Sequence, residues 1–127
     1  MEKYKTLIQE AKRAMGFSYS PYSRFSVGAA LLCDDGSIYG GCNIENAAYS
    51  PTCCAERVAV FKAVSEGKRN FKAIAVCGSS GEPCYPCGVC RQVLFEFGGA
   101  ELDIVLTDGK EIKTVKLGEL LPNAFKL

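Results

Sequence analysis

The sequence predicts an α/β fold in which a five-stranded mixed sheet lies between helices. Segments with apolar residues at helical spacing alternate with short apolar runs, in the order helix, hairpin, helix, strand, helix and two strands. The 127 residues are 48% apolar and 23% charged, which is the balance of an ordinary globule large enough to bury a core. No repeat or linker interrupts the chain, so we expect one domain over residues 1–127.

The N-terminal segment predicts an amphipathic helix. Residues 2–15 place apolar side chains at helical spacing with charges between them, and Gly16 ends the pattern. Residues 18–26 contain proline and predict a loop.

A β-hairpin follows this loop. Residues 27–33 form a continuous apolar run, an Asp-Asp-Gly-Ser turn reverses the chain, and residues 38–43 return. Small residues in both strands, among them Gly28 and the pair Gly40 and Gly41, predict close approach by a helix or a neighbouring chain.

The rest of the chain alternates helices and strands. The helices show 3.6-residue spacing of apolar side chains, and the strands are short apolar runs bounded by turn residues such as Gly67 and the Asp-Gly-Lys turn near residue 109. The predicted elements are a helix at 54–65, a strand at 71–77, a helix at 90–97, strands at 102–107 and 111–117, and a short helix at 117–121.

The composition excludes several classes of protein. A net charge of +1 provides no basic surface for nucleic acid or an anionic membrane. No stretch approaches the roughly 18 apolar residues of a membrane-spanning helix, and the charged N-terminus lacks the apolar core of a signal peptide. We therefore expect a cytoplasmic protein whose eight cysteines are reduced, buried or metal-bound.

Histidine is absent, which restricts the chemistry that the chain can perform. Mechanisms that need an imidazole base are excluded, and so are zinc sites that need an imidazole ligand. Any acid–base step therefore falls to a carboxylate.

Two short cysteine motifs indicate a zinc site. Cys54 begins one central helix, and Cys87 and Cys90 form a Cys-x-x-Cys turn at the start of the other. Three thiolates favour zinc, and three protein ligands leave a fourth position open, as in catalytic sites. Glu56 lies in the first turn of the same helix as Cys54, where it can exchange protons with water and substrate.

Positive charge near the thiolates would preserve the ability of zinc to activate water. Three thiolates on a divalent ion leave a net negative charge, which two converging helix N-termini offset in part. Arg57 lies beside the ligand cluster in sequence, and its guanidinium is predicted to donate to thiolate sulfur.

A closed structural zinc site is the alternative interpretation. Cys53 or Cys54, together with Cys84, Cys87 and Cys90, could supply four thiolates. A Cys-Ala-Glu sequence before a helix, with proline before Cys87, favours catalysis because it repeats the signature of zinc deaminases. The Ala-Glu register favours Cys54 over Cys53 as the ligand, and Cys53 and Cys84 have no assigned role. The other cysteines lie in apolar strands and are predicted core residues: Cys33, Cys42 and Cys77.

The sequence resembles the small homotetrameric cytidine deaminases over nearly its whole length. The matching segments are FSVGAA at 25–30, NIENAAY at 43–49, CAER at 54–57, PCGVCRQV at 86–93 and LLP at 120–122. The resemblance implies the three-layer α-β-α fold of that family and a homotetramer with shared active sites. It also implies hydrolytic deamination of cytidine and deoxycytidine to uridine and deoxyuridine plus ammonia, in pyrimidine salvage.

The family pattern also implies roles for individual residues. One zinc ion per subunit binds Cys54, Cys87 and Cys90, and Glu56 is the catalytic proton shuttle between water, the base nitrogen and the departing amine. Phe25 matches the aromatic residue that stacks on the pyrimidine, and the Ala55 backbone matches a group that contacts the base. Asn43 and Glu45 match the pair that holds a ribose hydroxyl. Without the family match, a solvated turn would explain Asn43 and Glu45 equally well.

Other substrates and roles remain as alternatives. Deaminases of deoxycytidylate, of tRNA adenosine or of single-stranded DNA generally use one histidine ligand, which this chain lacks, so a small nucleoside is expected instead of nucleic acid. A blasticidin-S-type deaminase shares the zinc motif and the size but lacks the glutamate that matches Glu45. A non-enzymatic zinc module would need four protein sulfurs on the metal. Tyr49 and Phe125 are candidates to complete a neighbouring site, or equally to form interface core.

Overall fold

A computed structural model describes residues 2–127 of the chain. After a short 3-10 helix at Glu2–Tyr4, the elements in chain order are α1 (Lys5–Met15), β1 (Val27–Cys33), β2 (Ile38–Cys42), α2 (Ala55–Ser65), β3 (Phe71–Gly78), α3 (Gly88–Gly98), β4 (Asp103–Thr107), β5 (Ile112–Lys116) and α4 (Leu117–Leu120). All the predicted helices and strands are present, and no end differs from its predicted position by more than three residues.

The five strands form one mixed sheet in the order β2-β1-β3-β4-β5. Only the pair β3 and β4 is parallel within the described residues, because α3 carries the chain back across the sheet between these two strands. The predicted five-stranded mixed sheet is therefore confirmed.

Helices cover both faces of the sheet, which makes three layers. On one face, Leu7 and Ile8 of α1 pack on the alanines of the central strands, such as Ala30 and Ala75. On the other face α2, α3 and α4 pack on the larger strand residues; the buried members include Leu31, Ala59, Val60, Ile74, Val76, Leu94 and Leu117. Alternate residues of a strand point to opposite faces, so β1 and β3 are apolar at successive positions.

Two glycines let helices approach the sheet backbone. A Cβ atom at Gly28 would lie 2.0 Å from the carbonyl oxygen of Ala11 in α1. A Cβ atom at Gly41 would lie 2.5 Å from the carbonyl oxygen of Ala55 at the start of α2. The predicted close approach is therefore confirmed at both glycines, and Gly41 sets the distance between β2 and the helix that begins after Cys54.

Two elements, α3 and β2, begin or end at residues other than the predicted ones, and both differences lie near the clustered cysteines or the residues that follow β2. Helix α3 begins at Gly88, two residues before the predicted start, because Cys87 with its extended backbone is the N-cap residue. Strand β2 ends at Cys42, and beyond it Ile44 makes single bridges to Tyr19 and Cys53. Within residues 2–127, no helix is both long and apolar enough to cross a membrane.

Candidate active site

Three cysteine sulfurs meet where two helices begin. Cys54 is the N-cap residue of α2, Cys87 is the N-cap residue of α3, and Cys90 lies in the first turn of α3. Their Sγ atoms all lie within 4.8 Å of one another, and those of Cys54 and Cys87 are 3.9 Å apart. Sulfurs about 2.3 Å from one tetrahedral zinc ion lie about 3.8 Å apart, so this donor set fits zinc.

Cys53 and Cys84, the other two candidate zinc ligands, do not belong to this group. Among residues 2–127, the cluster of close ligand atoms comprises Cys54, Cys87 and Cys90. Cys53 instead pairs its backbone with Ile44 through two hydrogen bonds of 3.0 Å. A set of three sulfurs is the arrangement that leaves a position open for a reacting ligand.

Positive charge surrounds the sulfurs, as the sequence predicts. The N-termini of α2 and α3 both point their free N–H groups towards this point. The Nη2 atom of Arg57 donates to the Sγ atom of Cys54 at 3.3 Å. A hydrogen bond from the Cys90 thiol, together with the Arg57 guanidinium, lowers the pKa of the Cys54 thiol. Cys54 is therefore favoured in the thiolate form that binds metal, whereas the hydrogen bond to Cys54 and burial raise the pKa of the Cys90 thiol.

Glu56 is a buried carboxylate next to the sulfurs. Its side chain is 4% exposed and lies in the first turn of α2. Burial raises the pKa of Glu56 to about 7, and the nearby charge of Cys54 acts in the same direction. The hydrogen bond that stabilises its carboxylate comes from its own backbone. A buried acid without a cationic partner at its oxygens is suited to exchange a proton near neutral pH.

Asn43 and Glu45 hold the loop at residues 18–26. The Asn43 Oδ1 atom accepts from the backbone N–H of Val27 at 2.9 Å, and its Nδ2 atom donates to the carbonyl of Phe25 at 2.8 Å. Glu45 accepts from the backbone N–H groups of Tyr22 and Ser23 at 2.9 and 3.1 Å, and from the Ser23 hydroxyl.

These contacts show what the two polar side chains do within the chain. The hydrogen bond from the Ser23 side chain lowers the pKa of Glu45, and the two backbone bonds add to this effect. Both side chains therefore organise the loop that carries Phe25, a role that their spacing in the sequence did not reveal.

Phe25 lies against the end of β3. A Cβ atom at Gly78 would lie 2.7 Å from the Phe25 Cζ atom and 3.3 Å from the Sγ atom of Cys84. Burial raises the pKa of the Cys84 thiol to about 11, and the charge of Glu56 contributes to this shift. Cys84 therefore lies near Gly78, which the predicted stacking ring also approaches, and its buried thiol behaves as an apolar side chain there.

Ala55 lies between the sulfur cluster and β2. It is the first residue of α2 and is fully buried, with its carbonyl oxygen directed at Gly41. Its N–H group is one of the first four of the helix, which have no partner inside the helix.

Two exposed aromatic residues flank the region without contacting the sulfurs. Tyr49 is 73% exposed, has a φ of 65°, and meets the Tyr22 ring edge to face at 6.3 Å. Together with Glu45 these two tyrosines line a pocket of about 300 Å³. Phe125 near the C-terminus is 66% exposed.

A larger cavity lies elsewhere on the molecule. This groove of about 560 Å³ runs between α1, β2 and α2 and is lined by residues such as Phe17, Ile38 and Val58. It contains neither Glu56 nor any of the clustered sulfurs, so it is separate from the candidate site. Cys42, a predicted core residue, lines this groove and is only half-buried, whereas Cys33 and Cys77 are buried.

Arg91 is a residue near the cluster to which the sequence assigned no role. It follows Cys90 directly, and its side chain donates to two backbone carbonyl groups, those of Pro86 and Leu120. Its position inside the Pro-Cys-x-x-Cys-Arg motif was the available signal, but only the fold brings Leu120 next to it.

Comparisons with known proteins agree with this site. Residues 1–106 match the family described as the cytidine and deoxycytidylate deaminase zinc-binding region. The cytidine deaminase of Sporosarcina psychrophila is 55% identical over 120 residues, which are 94% of this chain and 88% of that protein.

Solved structures are similar as well. The crystal structure of cytidine deaminase from Burkholderia pseudomallei has a TM-score of 0.89 and 48% identity, covering 94% of this chain and 97% of that one. The crystal structure of the Mycobacterium tuberculosis cytidine deaminase has a TM-score of 0.87 and 44% identity, covering 98% of both chains. With the fold, the three-sulfur cluster and the family match in agreement, the chain belongs to the cytidine and deoxycytidylate deaminase family.

Proposed function

We propose that this protein hydrolyses the exocyclic C–N bond of cytidine and deoxycytidine, giving uridine or deoxyuridine and ammonia. The observation that carries the proposal is the buried Glu56 carboxylate beside three sulfurs that lie within 4.8 Å of one another. Two relatives that are 55% and 52% identical to this chain are named cytidine deaminases, which supports a cytosine nucleoside as the substrate.

Cys54, Cys87 and Cys90 would hold one zinc ion per subunit. When bound, zinc lowers the pKa of water so that a nucleophile is available near neutral pH. Arg57 would favour the thiolate form of Cys54 by donating to its Sγ atom.

Glu56 would move the protons of the reaction. Its carboxylate takes a proton from the attacking water and delivers it to N3 of the base. It then takes the proton of the hydroxyl newly bonded to C4 and gives it to the amine, which leaves as ammonia while the C4 carbonyl forms. A group whose pKa lies near the working pH serves both as base and as acid, and burial raises the pKa of Glu56 to about 7.

The loop at residues 18–26 and the residues that hold it would bind the nucleoside. Phe25 stacks on the pyrimidine from its position on Gly78, and the Ala55 backbone contacts the base. Asn43 and Glu45 would bind a ribose hydroxyl through hydrogen-bonding groups that the loop does not use. One donor hydrogen of the Asn43 amide and a lone pair of the Glu45 carboxylate remain for this purpose.

The alternative functions have less support. A structural zinc module needs four protein sulfurs, whereas the cluster in residues 2–127 has three. A blasticidin-S-type deaminase is disfavoured because relatives that are 46% and 55% identical are named cytidine deaminases and because Glu45 is present.

The protein is proposed to act as a homotetramer with shared active sites. Helix α2 has apolar residues on its outward side as well as its core side; Phe61 is 50% exposed and Val58 lines the groove beside it. An apolar outward face is typical of a helix that another subunit covers. Tyr49 and Phe125, both exposed, would then contact neighbouring sites. A preparation that is active and sediments only as a monomer would refute this arrangement.

The wider setting is also a proposal. Residues 1–127, of which Met1 lies outside the described residues, would form a single catalytic domain. All eight cysteines are free thiols, which suits the reducing cytoplasm and a role in pyrimidine salvage.

A Glu56→Gln variant tests the proposed function. General acid–base catalysis is typically worth at least about 100-fold, so we expect deamination of both nucleosides, followed by ultraviolet absorbance, to fall by that factor or more. Zinc content, measured by atomic absorption, should stay at one ion per chain. Glu66→Gln, the same change at the exposed far end of α2, is the control. Unchanged turnover in Glu56→Gln, or a wild-type protein that binds no zinc, would refute the proposal.

A further inference from the structure

The three clustered cysteines differ in how the fold holds them. Cys90 is fully buried in the core, and Cys54 is half-buried and bonded to Arg57. Cys87 is exposed, so side-chain packing contributes little to its position. The direction of its Sγ atom depends instead on the two peptide groups that flank its Cα atom, since these determine its φ of −70° and ψ of 170°.

Arg91 makes a hydrogen bond to each of these two peptide groups. Its Nε atom donates to the carbonyl of Pro86 at 2.7 Å, which is the peptide before Cys87. Its backbone N–H donates to the carbonyl of Cys87 at 2.9 Å, which is the peptide after it. One residue therefore restrains both backbone dihedrals of the exposed ligand.

The same guanidinium extends this restraint to the C-terminal segment. Its Nη1 atom donates to the carbonyl of Leu120 at 2.7 Å, at the end of α4. A carbonyl at the last turn of a helix has no partner inside the helix, so an external donor stabilises it. Leu117 of α4 is fully buried in the main core, which gives this anchor a rigid base.

The chemistry of this position requires arginine. Nε and Nη1 belong to one planar group, so the two carbonyl oxygens are held at a constant separation. A lysine ammonium can reach one of the two carbonyls but provides no rigid link between them.

We propose that Arg91 is a positioning residue for the metal site: it holds the backbone of Cys87 in the ligating conformation and braces it against α4. The inference rests on the proposed zinc site but concerns metal retention and geometry, not the reaction. Groups that orient metal ligands typically contribute 10- to 100-fold to metal affinity.

The test compares metal retention in three variants with the zinc-loaded wild type. Arg91→Gln removes the guanidinium, and Arg91→Lys keeps the charge without the planar fork. Gln92→Ala is the matched control, because Gln92 is the next residue of α3 and also bonds the C-terminal segment, at the carbonyl of Phe125, but has no bond to Pro86. The rate of zinc transfer to a chromogenic chelator is measured for each protein, together with the thiolate-to-metal absorption of the cobalt-substituted form.

We expect Arg91→Gln to release zinc roughly 10- to 100-fold faster than the wild type, with a changed cobalt spectrum. Arg91→Lys should lie between the two, and Gln92→Ala should match the wild type. Two results would overturn the inference. One is wild-type zinc release from Arg91→Gln; the other is an equal loss of melting temperature in its metal-free and zinc-loaded forms, which would assign Arg91 to the fold alone. A wild type that binds no zinc would instead refute the proposed function, so the two failures are distinguishable.

Discussion

Replacing Gly41 by alanine tests whether the sheet positions the start of helix α2. The added Cβ atom would lie 2.5 Å from the carbonyl oxygen of Ala55 and 2.6 Å from the backbone nitrogen of Ala59. Both are backbone atoms of the helix, so no side chain can rotate away to make room. Bringing the closer contact to an ordinary 3.4 Å requires α2 to move from β2 by about 0.9 Å.

This displacement has two consequences of known size. Overpacking of this kind typically costs 1–3 kcal/mol, which lowers the melting temperature by roughly 4 to 12 °C for a domain of this length. Cys54 and Glu56 both move with the start of α2, and a misplacement of about 1 Å typically costs about 100-fold in rate. We therefore expect kcat/KM for cytidine to fall by about two orders of magnitude in Gly41→Ala.

The neighbouring residue provides a matched control. A Cβ atom at Gly40 would lie 3.5 Å from the Cβ atom of Ala14, which is an ordinary contact, and it belongs to the same strand. Thermal denaturation and steady-state deamination are measured for both variants. Gly40→Ala should resemble the wild type. If Gly41→Ala is as stable and as active as Gly40→Ala, the reasoning that β2 sets the position of α2 is wrong.

Three further predictions concern other contacts in the structure. Burial raises the pKa of Asp103, but the hydrogen bonds from Lys116 and Tyr4, together with the charge of Lys116, more than compensate and leave the pKa below its ordinary value. Asp103→Asn should therefore melt at a lower temperature than the wild type at pH 7, with the difference disappearing as pH falls below about 4; a constant difference would contradict this linkage. Arg57→Ala should fold but lose zinc roughly 10-fold faster or more, because Cys54 loses its donor, and unchanged chelation kinetics would remove Arg57 from the site. Phe25→Ala should raise KM roughly 10- to 100-fold at a similar kcat, since stacking on a base is worth about 1–3 kcal/mol, and an unchanged KM would exclude the stacking role.

The sequence predicts the cluster of three sulfurs because the position of each cysteine relative to its own helix is set by local sequence. A cysteine at the N-cap of one helix and a Cys-x-x-Cys turn at the start of another place each ligand relative to its own helix. The absence of histidine left a carboxylate as the proton carrier, and Glu56 is held on the same helical turn as Cys54. Cys53 and Cys84 each offered a possible fourth thiolate, so the sequence also allowed a closed structural site. Only the fold separates these two cysteines from the cluster.

The contacts that hold the loop at residues 18–26 could not be predicted from local sequence patterns. Asn43 and Glu45 are two residues apart, which in an extended backbone would place both on one face of a strand, but the strand ends at Cys42. The two side chains are occupied instead by hydrogen bonds to Phe25, Ser23 and their neighbours. Such bonds join residues about 20 positions apart, and periodicity carries no information about them.

The sequence by itself determined which elements form, which residues are able to bind zinc, and which acid is available, because these depend on local spacing and on side-chain chemistry. The tertiary structure decided how the elements meet. The packing of α2 on Gly41 sets the place of Glu56, and Arg91 connects Cys87 to α4 across 29 residues of chain. These distances come from the packing of helices on both faces of one sheet, and no local pattern specifies that packing.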